Sequence, residues 1–267
     1  MKALSLDRYI ARESPIHAAD ARIKFVLVVA SILSVSLLPI GSFVALALAW
    51  GVLVLLSSFA GLGPLRLTRS SFFAAPFLLA ALPLIFTKKG DPLGDLDLGL
   101  FTLTASGEGL RMFATIALKS WVSVQAALLL TFSTPFPELI EALRRLHLPA
   151  LMVAIIGFMY RYLAVMADEA SRMMRARAAR SAALTDSSGG SLLWRAKVVG
   201  SMVGSLFLRA YERSERVYAA MQSRGFSGEM RYITGRSLHN SEWLALAAFG
   251  AAILAFEFAA HVWLPVA

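Results

Sequence analysis

The feature that most constrains this chain is a series of apolar stretches, each long enough to cross a lipid bilayer. A bilayer core about 30 Å thick requires roughly 20 apolar residues of helix. The stretches lie at residues 23–40, 42–62, 70–87, 110–133 and 243–264. Of the 267 residues, 58% are hydrophobic and only 16% are charged, against about 25% charged in soluble domains. The pattern predicts an all-α, polytopic membrane protein with about five transmembrane helices, and it excludes a soluble globule, a coiled coil and a disordered chain.

Residues for catalysis or metal binding are scarce. The chain has no cysteine, which excludes disulfides and thiolate chemistry. The sequence contains no GxxxxGK[ST], HExxH or GxSxG motif, so nothing indicates a phosphate loop, a zinc protease or a serine hydrolase. Glu257 and His261 share a helix face, but two groups make a weak metal site, and we interpret them as an interfacial pair. We therefore expect no catalytic residues, no metal site and no cofactor on this chain, which is not predicted to be an enzyme.

The basic residues are concentrated in one part of the chain. The net charge is +9, and residues 134–240 carry 15 of the 26 basic residues and 8 acidic ones. This segment predicts a cytoplasmic region, between residues 1–133 with the first four spans and residues 241–267 with the last span. Because basic loops stay on the cytoplasmic side, the N-terminus is predicted to be cytoplasmic as well.

Two further apolar runs, 148–167 and 192–208, lie inside this basic segment. If the first run alone crossed the membrane, 12 basic side chains between 168 and 240 would be exported, which the positive-inside rule disfavours. If both crossed, Arg172, Arg175, Arg177 and Arg180 would still be exported. We therefore interpret both runs as helices that are cytoplasmic or at the membrane surface.

The basic segment is predicted to form three helices. The first begins after Thr134 or Ser133 and ends at Pro149, the second covers about 150–182, and the third covers about 191–224, where Gly225 stops it. Turn-forming residues at 186–191 separate the second helix from the third.

Lys119 and Gln125 are the polar residues deepest in the fourth span. An ionisable group at depth is a functional candidate, although snorkelling to the surface or pairing inside the helix bundle is the favoured interpretation of Lys119. Gln125 is interpreted as a hydrogen-bonding group between helices.

Two related tripeptides end the second and third predicted helices. They are Ala179-Arg180-Ser181 and Ser223-Arg224-Gly225, each an arginine between small residues. A C-terminal arginine is favoured by the helix dipole, by about 0.3–1 kcal/mol, and glycine is an ordinary helix stop. Function and simple helix termination therefore both remain open from the residues alone.

The chain resembles the transmembrane coupling component of energy-coupling-factor (ECF) transporters, in particular its cobalt/nickel subtype CbiQ. Three segments carry the resemblance: Ser14-Pro15-Ile16-His17 through Lys24, Tyr160 through Arg180, and Tyr211 through Phe226. The family has two Ala-Arg-Gly-like triplets on cytoplasmic coupling helices, each docking in a groove of one ATPase subunit. The two tripeptides match them, with Ser181 in place of the first glycine and Ser223 in place of the second alanine.

The resemblance implies an importer component that couples ATP hydrolysis to uptake of cobalt or nickel. Its implied partners are two ABC-type ATPase subunits, which hold the ATP, a substrate-binding membrane subunit for the metal, and the lipid bilayer of the bacterial inner membrane; nucleic acid is not expected. One alternative is a component of the same kind that serves a vitamin-type subunit. Others are a membrane-embedded enzyme, such as a lipid-modifying transferase, and a stand-alone channel or carrier.

Overall fold

The structure, a computed structural model, describes residues 8–87, 92–97, 102–180, 191–226 and 240–262. These residues form two compact units, which we call the membrane unit (8–142 and 240–262) and the coupling unit (143–180 and 191–226). Helices dominate both units, and two helices are long and apolar enough to cross a membrane. The predicted fold class, an all-α polytopic membrane protein, is confirmed.

The membrane unit begins with a short helix, and four of the five predicted spans correspond to single helices, α2, α3, α7 and α11. Its elements are α1 (Pro15–Ala18), α2 (Ala21–Leu37), α3 (Phe43–Phe59), α4 (Pro64–Ser71), a 3-10 turn (Phe72–Ala74), α5 (Ala75–Ala81), α6 (Leu84–Thr87), β1 (Pro92–Asp97), β2 (Thr102–Ser106), α7 (Gly107–Ser133) and α11 (Asn240–Val262). Asp20 caps α2 by accepting a hydrogen bond from the Arg22 backbone N–H at 2.9 Å. Ser106 caps α7 in the same way, from Gly109 at 3.0 Å. Such caps satisfy backbone donors that a helix start leaves free.

The core of the membrane unit surrounds α7. This helix packs against α2, α3, α4 and α6, while α11 packs against α2. Val35, Leu46, Val122 and Ala126 lie in one buried cluster. Many other apolar side chains of these helices remain exposed, Leu37 at 70% and Leu55 at 61% among them, as expected for surfaces that contact lipid rather than water.

The third predicted span is not a single helix. Residues 64–74 and 78–87 form two helical pieces that meet at 54°, the geometry of a broken span or of a re-entrant loop. Pro76 lies at the bend, and Pro83 follows the end of α5. Proline has no N–H to donate and clashes with the preceding turn, so the helix breaks here instead of continuing as the single span expected over 70–87.

A short hairpin between α6 and α7 was not expected. Strands β1 and β2 pair antiparallel, with Asp95 opposite Thr104 and Leu96 opposite Leu103. The sequence predicted no strand in this chain, because the segment is too short and too rich in turn residues for alternation to be recognised.

The coupling unit starts in the last turn of α8 (Phe136–Arg145), most of which belongs to the membrane unit. It contains α9 (Ala150–Arg180) and α10 (Leu192–Gln222), so the three helices predicted in the basic segment are present. The first ends earlier than predicted, because His147 adopts a left-handed φ of 67° and the Leu148 N–H donates to the Leu143 carbonyl at 3.3 Å. The end of the second predicted helix at 181–182 lies outside the described residues, as does the predicted turn at 186–191 except for Ser191.

Length and composition allow α7 and α9 each to cross a membrane, whereas α3 and residues 246–262 of α11 are shorter apolar helices. The cytoplasmic or interfacial placement of α9 therefore stays a prediction that rests on its charges. Its second half carries Arg172, Arg175, Arg177 and Arg180.

Candidate coupling site

The coupling unit consists of two helices of equal length. Helices α9 and α10 have 31 residues each, which at 1.5 Å per residue is about 46 Å. Ser191 caps α10 by accepting a hydrogen bond from the Trp194 N–H at 3.2 Å. The first residues of α9 lie near the end of α10, where Leu151 and Phe226 line one groove. The two C-terminal ends therefore lie at opposite ends of the helix pair.

An ion-pair bridge joins the two helices near their middle. The Glu169 carboxylate on α9 accepts hydrogen bonds from Arg172 Nη2 on the same helix and from Arg209 Nη1 on α10, both at 2.5 Å. The pKa of the Glu169 carboxyl lies below its usual value, chiefly because of the hydrogen bond from Arg172 and next because of the one from Arg209. Both hydrogen bonds favour the charged form. No sequence motif singles out Glu169. The spacing to Arg172 was visible in the sequence, but the pairing with Arg209 was not.

The first predicted tripeptide lies at the end of α9. Arg180 is the last residue of the helix, and both Ala179 and Arg180 are exposed. Ser181 lies outside the described residues. Arg180 borders a polar cleft of about 600 Å³ between α9 and α10, which Arg177, Ser201 and the Glu169 bridge also line. This end of the pair is thus strongly basic and accessible.

The second tripeptide ends α10 in a Schellman motif. The Phe226 N–H donates to the Met221 carbonyl at 3.1 Å, and the Gly225 N–H donates to the Gln222 carbonyl at 3.0 Å. Gly225 has a φ of 82°, which is the left-handed geometry this motif requires. Ser223, Arg224 and Gly225 are all exposed. The predicted stop at Gly225 is confirmed, and the motif presents the Arg224 side chain just beyond the end of the helix.

Gly225→Ala tests how strictly this geometry is needed. A Cβ at this position would meet no atom within 4 Å, so the only penalty is the left-handed φ, about 1–2 kcal/mol for an L-residue. We expect the end of α10 to fray while the rest of the helix persists. Amide hydrogen exchange should then become faster at 222–226 and stay unchanged at 200–215. Unchanged exchange at 222–226 would contradict the motif.

An apolar groove lies between α9 and α10 at the Arg224 end. It has a volume of about 560 Å³. Phe158 and Tyr162 stack along it, with ring centroids 6.4 Å apart. Its other apolar lining residues include Leu151, Ile155, Met159, Met166, Val217, Tyr218, Met221 and Phe226. The apolar half of α9 also leaves Leu151 and Met159 more than half exposed. Such a surface indicates contact with lipid or with another protein.

The other polar residues considered from the sequence are Lys119, Gln125 and the pair Glu257 and His261. Lys119 Nζ donates to the Leu38 and Ser36 carbonyls at 2.6 and 2.9 Å, so it pairs within the helix bundle. Gln125 is completely buried, and neither amide atom has a hydrogen-bond partner in the described part of the chain; the predicted hydrogen bond between helices is not formed there. Glu257 and His261 approach to 3.5 Å, and no group of three metal-ligating side chains occurs among the described residues.

The chain matches a known protein family. The family model described as cobalt transport protein, CbiQ, matches residues 12–233, most of the chain. The chain belongs to the CbiQ family. It is thus a transmembrane component of the ECF type, a membrane protein that takes part in transport and not an enzyme.

Individual relatives agree with the family. The chain is similar to the energy-coupling factor transporter transmembrane protein EcfT of Listeria innocua, 29% identical over 85% of this chain and 86% of that protein. It is similar to the cobalt transport protein CbiQ of Rhodobacter capsulatus, 28% identical over 62% of this chain and 64% of that protein. It is also similar to the nickel permease LarQ of Lactiplantibacillus plantarum, 32% identical over 43% of this chain. That last match spans only 39% of the permease's own length.

Proposed function

We propose that this CbiQ-family chain couples two ABC-type ATPase subunits to a separate substrate-binding membrane subunit that takes up cobalt or nickel. The observation that carries the proposal is the placement of Arg180 and Arg224. Both are exposed, and they lie at opposite ends of one helix pair. A single arginine is thus available to each half of a two-subunit motor.

The chemistry of the two ends suits docking in a groove. A guanidinium group has five donors in a fixed fork, which matches a carboxylate or a cluster of carbonyls. The small residues Ala179, Ser223 and Gly225 beside the arginines allow the partner backbone to come close. In this proposal the ATP is held by the partner subunits, and this chain binds no cofactor and no metal of its own.

The Glu169 bridge supports a mechanical role for the pair. A helix pair transmits movement only if its two members move together. The carboxylate of Glu169 joins α9 to α10 at a point where the grooves on either side leave the helices apart. A displacement of the Arg180 end is thereby passed to the Arg224 end, where the exposed residues of the apolar groove are available to the membrane partner.

The proposed cargo rests on relatives. The Rhodobacter protein is named for cobalt transport and the Lactiplantibacillus protein for nickel, whereas the EcfT name specifies no substrate. We therefore propose a divalent metal, with a vitamin-type substrate as the second candidate. We further propose that the N-terminus and the ATPases lie on the cytoplasmic side of a bacterial inner membrane, because the coupling segment is basic and basic segments stay on that side.

Uptake in cells that lack their own cobalt and nickel importers tests the proposal. The chain is produced with its ATPase and substrate-binding subunits, and accumulation of radioactive Co²⁺ and Ni²⁺ is measured beside that of riboflavin and biotin. We expect metal uptake that disappears when the ATPases carry an inactivating catalytic substitution. Vitamin uptake without metal uptake would contradict the cargo, and metal uptake without ATPases would instead indicate a stand-alone carrier.

A further inference from the structure

The N-terminal segment before the first span is held at the end of α7. The Ile10 N–H donates to the Phe132 carbonyl at 3.0 Å. Lys24, near the start of α2, donates from Nζ to the Ser133 carbonyl at 3.2 Å and to the His17 carbonyl at 3.3 Å. We call Ile10, His17 and Lys24, together with the last two residues of α7, the N-terminal clasp.

Within the clasp, His17 organises the segment. A carbonyl oxygen only accepts hydrogen bonds, so His17 Nε2 carries the proton and donates a hydrogen bond to the Ile10 carbonyl at 3.1 Å. His17 Nδ1 lies 2.7 Å from the Ser14 hydroxyl, and Ser14 also caps α1. The side chains of Ser14, His17 and Lys24 thus fold the segment so that its backbone meets the end of α7.

Lys24 is placed where a charge matters. Lys24 is only 8% exposed. Its ammonium donates to the carbonyl of Ser133 in the last turn of α7, where the helix dipole favours a cation. Glu138, in the first turn of α8, and Asp20 contribute further attraction. Only two residues separate the end of α7 from the start of α8. The ammonium therefore attracts the Ser133 carbonyl at the end of α7 and the Glu138 carboxylate at the start of α8. These two groups flank the turn through which the chain continues toward α9 and α10.

A second lysine makes the same contact at the other end of the same helix pair. Lys119, on α7, donates to the Ser36 and Leu38 carbonyls at the end of α2. Antiparallel α2 and α7 thus carry a lysine cap on each other's C-terminus. The two caps differ in burial, because Lys24 is buried and Lys119 is only partly so. They also differ in position, because only Lys24 lies beside the chain that leads into the coupling helices.

We propose that Lys24 is a positioning residue for coupling. Through the clasp it fixes the direction in which the chain leaves α7 and enters α8, so that movement of the coupling helices is passed to the membrane helices instead of being lost at the turn. This inference rests on the proposed coupling function for its consequence in transport, and on the clasp contacts alone for its structural part.

The test compares Lys24→Met with Lys119→Met. Each substitution removes an ammonium that caps a helix end and leaves a side chain of similar length, so Lys119→Met is a matched control at the far end of the same helix pair. Lys24→Arg keeps the cation and serves as the rescue variant. Two measurements are made: hydrogen exchange of the full chain in nanodiscs, and the number of Co²⁺ ions taken up per ATP hydrolysed by the assembled complex in liposomes.

We expect Lys24→Met to raise exchange in 134–140 on the order of tenfold, as the loss of one charged hydrogen bond implies, and to lower the uptake per ATP severalfold while the ATPases stay bound. Lys119→Met should raise exchange at 36–41 and leave the ratio unchanged, and Lys24→Arg should behave as the wild type. A purely structural role would reduce the amount of complex without changing the ratio.

The outcomes separate this inference from the proposed function. If Lys24→Met keeps the wild-type ratio, or lowers it no more than Lys119→Met does, the positioning role is wrong although the coupling function stands. If the wild-type complex shows no ATP-dependent uptake at all, the coupling function fails and the transport part of this inference fails with it. Unchanged exchange in 134–140 would by itself overturn the structural part.

Discussion

Replacing both Arg180 and Arg224 with alanine is expected to release the ATPase subunits and abolish uptake. Each arginine is exposed at one end of the coupling pair, and a buried interface arginine contributes about 2 kcal/mol when truncated. That is a loss of roughly 30-fold in affinity for one arginine and several-hundred-fold for both, if distant sites add. Each single variant should still bind the ATPase subunit at its unaltered end. The double variant should bind both ATPase subunits more weakly than that.

The matched control is Arg175→Ala with Arg216→Ala. These arginines lie on the same two helices and are also exposed. Their replacement removes the same number of positive charges as the Arg180 and Arg224 double variant. Surface charges of this kind contribute little, so the control should retain its ATPases. The measurement is the molar ratio of ATPase to this chain after purification, followed by uptake in the same preparation. A double variant that co-purifies and transports normally would show that Arg180 and Arg224 are not the docking residues.

Replacing Gln125 with leucine is expected to stabilise the membrane unit. The side chain is 0% exposed, and both amide atoms lack a partner in the described part of the chain. A buried polar group without a partner costs about 1–3 kcal/mol, and a leucine of similar volume removes that penalty. For a protein of this size, such a gain corresponds to a rise of roughly 2–4 °C in Tm for each kcal/mol.

Gln222→Leu is the control for this prediction. It is the same substitution at an exposed position of α10, where an effect within about 0.5 kcal/mol is expected. Thermal unfolding of the purified chain in one detergent measures both. A lower Tm for Gln125→Leu would mean that the amide has a hydrogen-bond partner in the folded protein and holds helices together, as the sequence analysis first predicted.

Much of the helical pattern followed from local residues. The apolar run 110–133 became α7, and Ser191 and Gly225 mark the ends of α10 as predicted. Caps and apolar periodicity act within a few residues, so the sequence displays them directly. The single helix expected at 70–87 did not form, because Pro76 and Pro83 broke it. How far a proline bends a helix depends on what packs around it.

The sequence by itself determined the membrane class, the ends of several main helices, the two arginine tripeptides and the resemblance to the ECF family. These depend on composition and on spacings of a few residues. Only the tertiary structure decided which charges meet. Glu169 pairs with Arg209 40 residues away, Lys119 with a carbonyl 81 residues away, and Lys24 with one 109 residues away. Such contacts follow from how whole helices pack, and no periodicity along the chain encodes the partner.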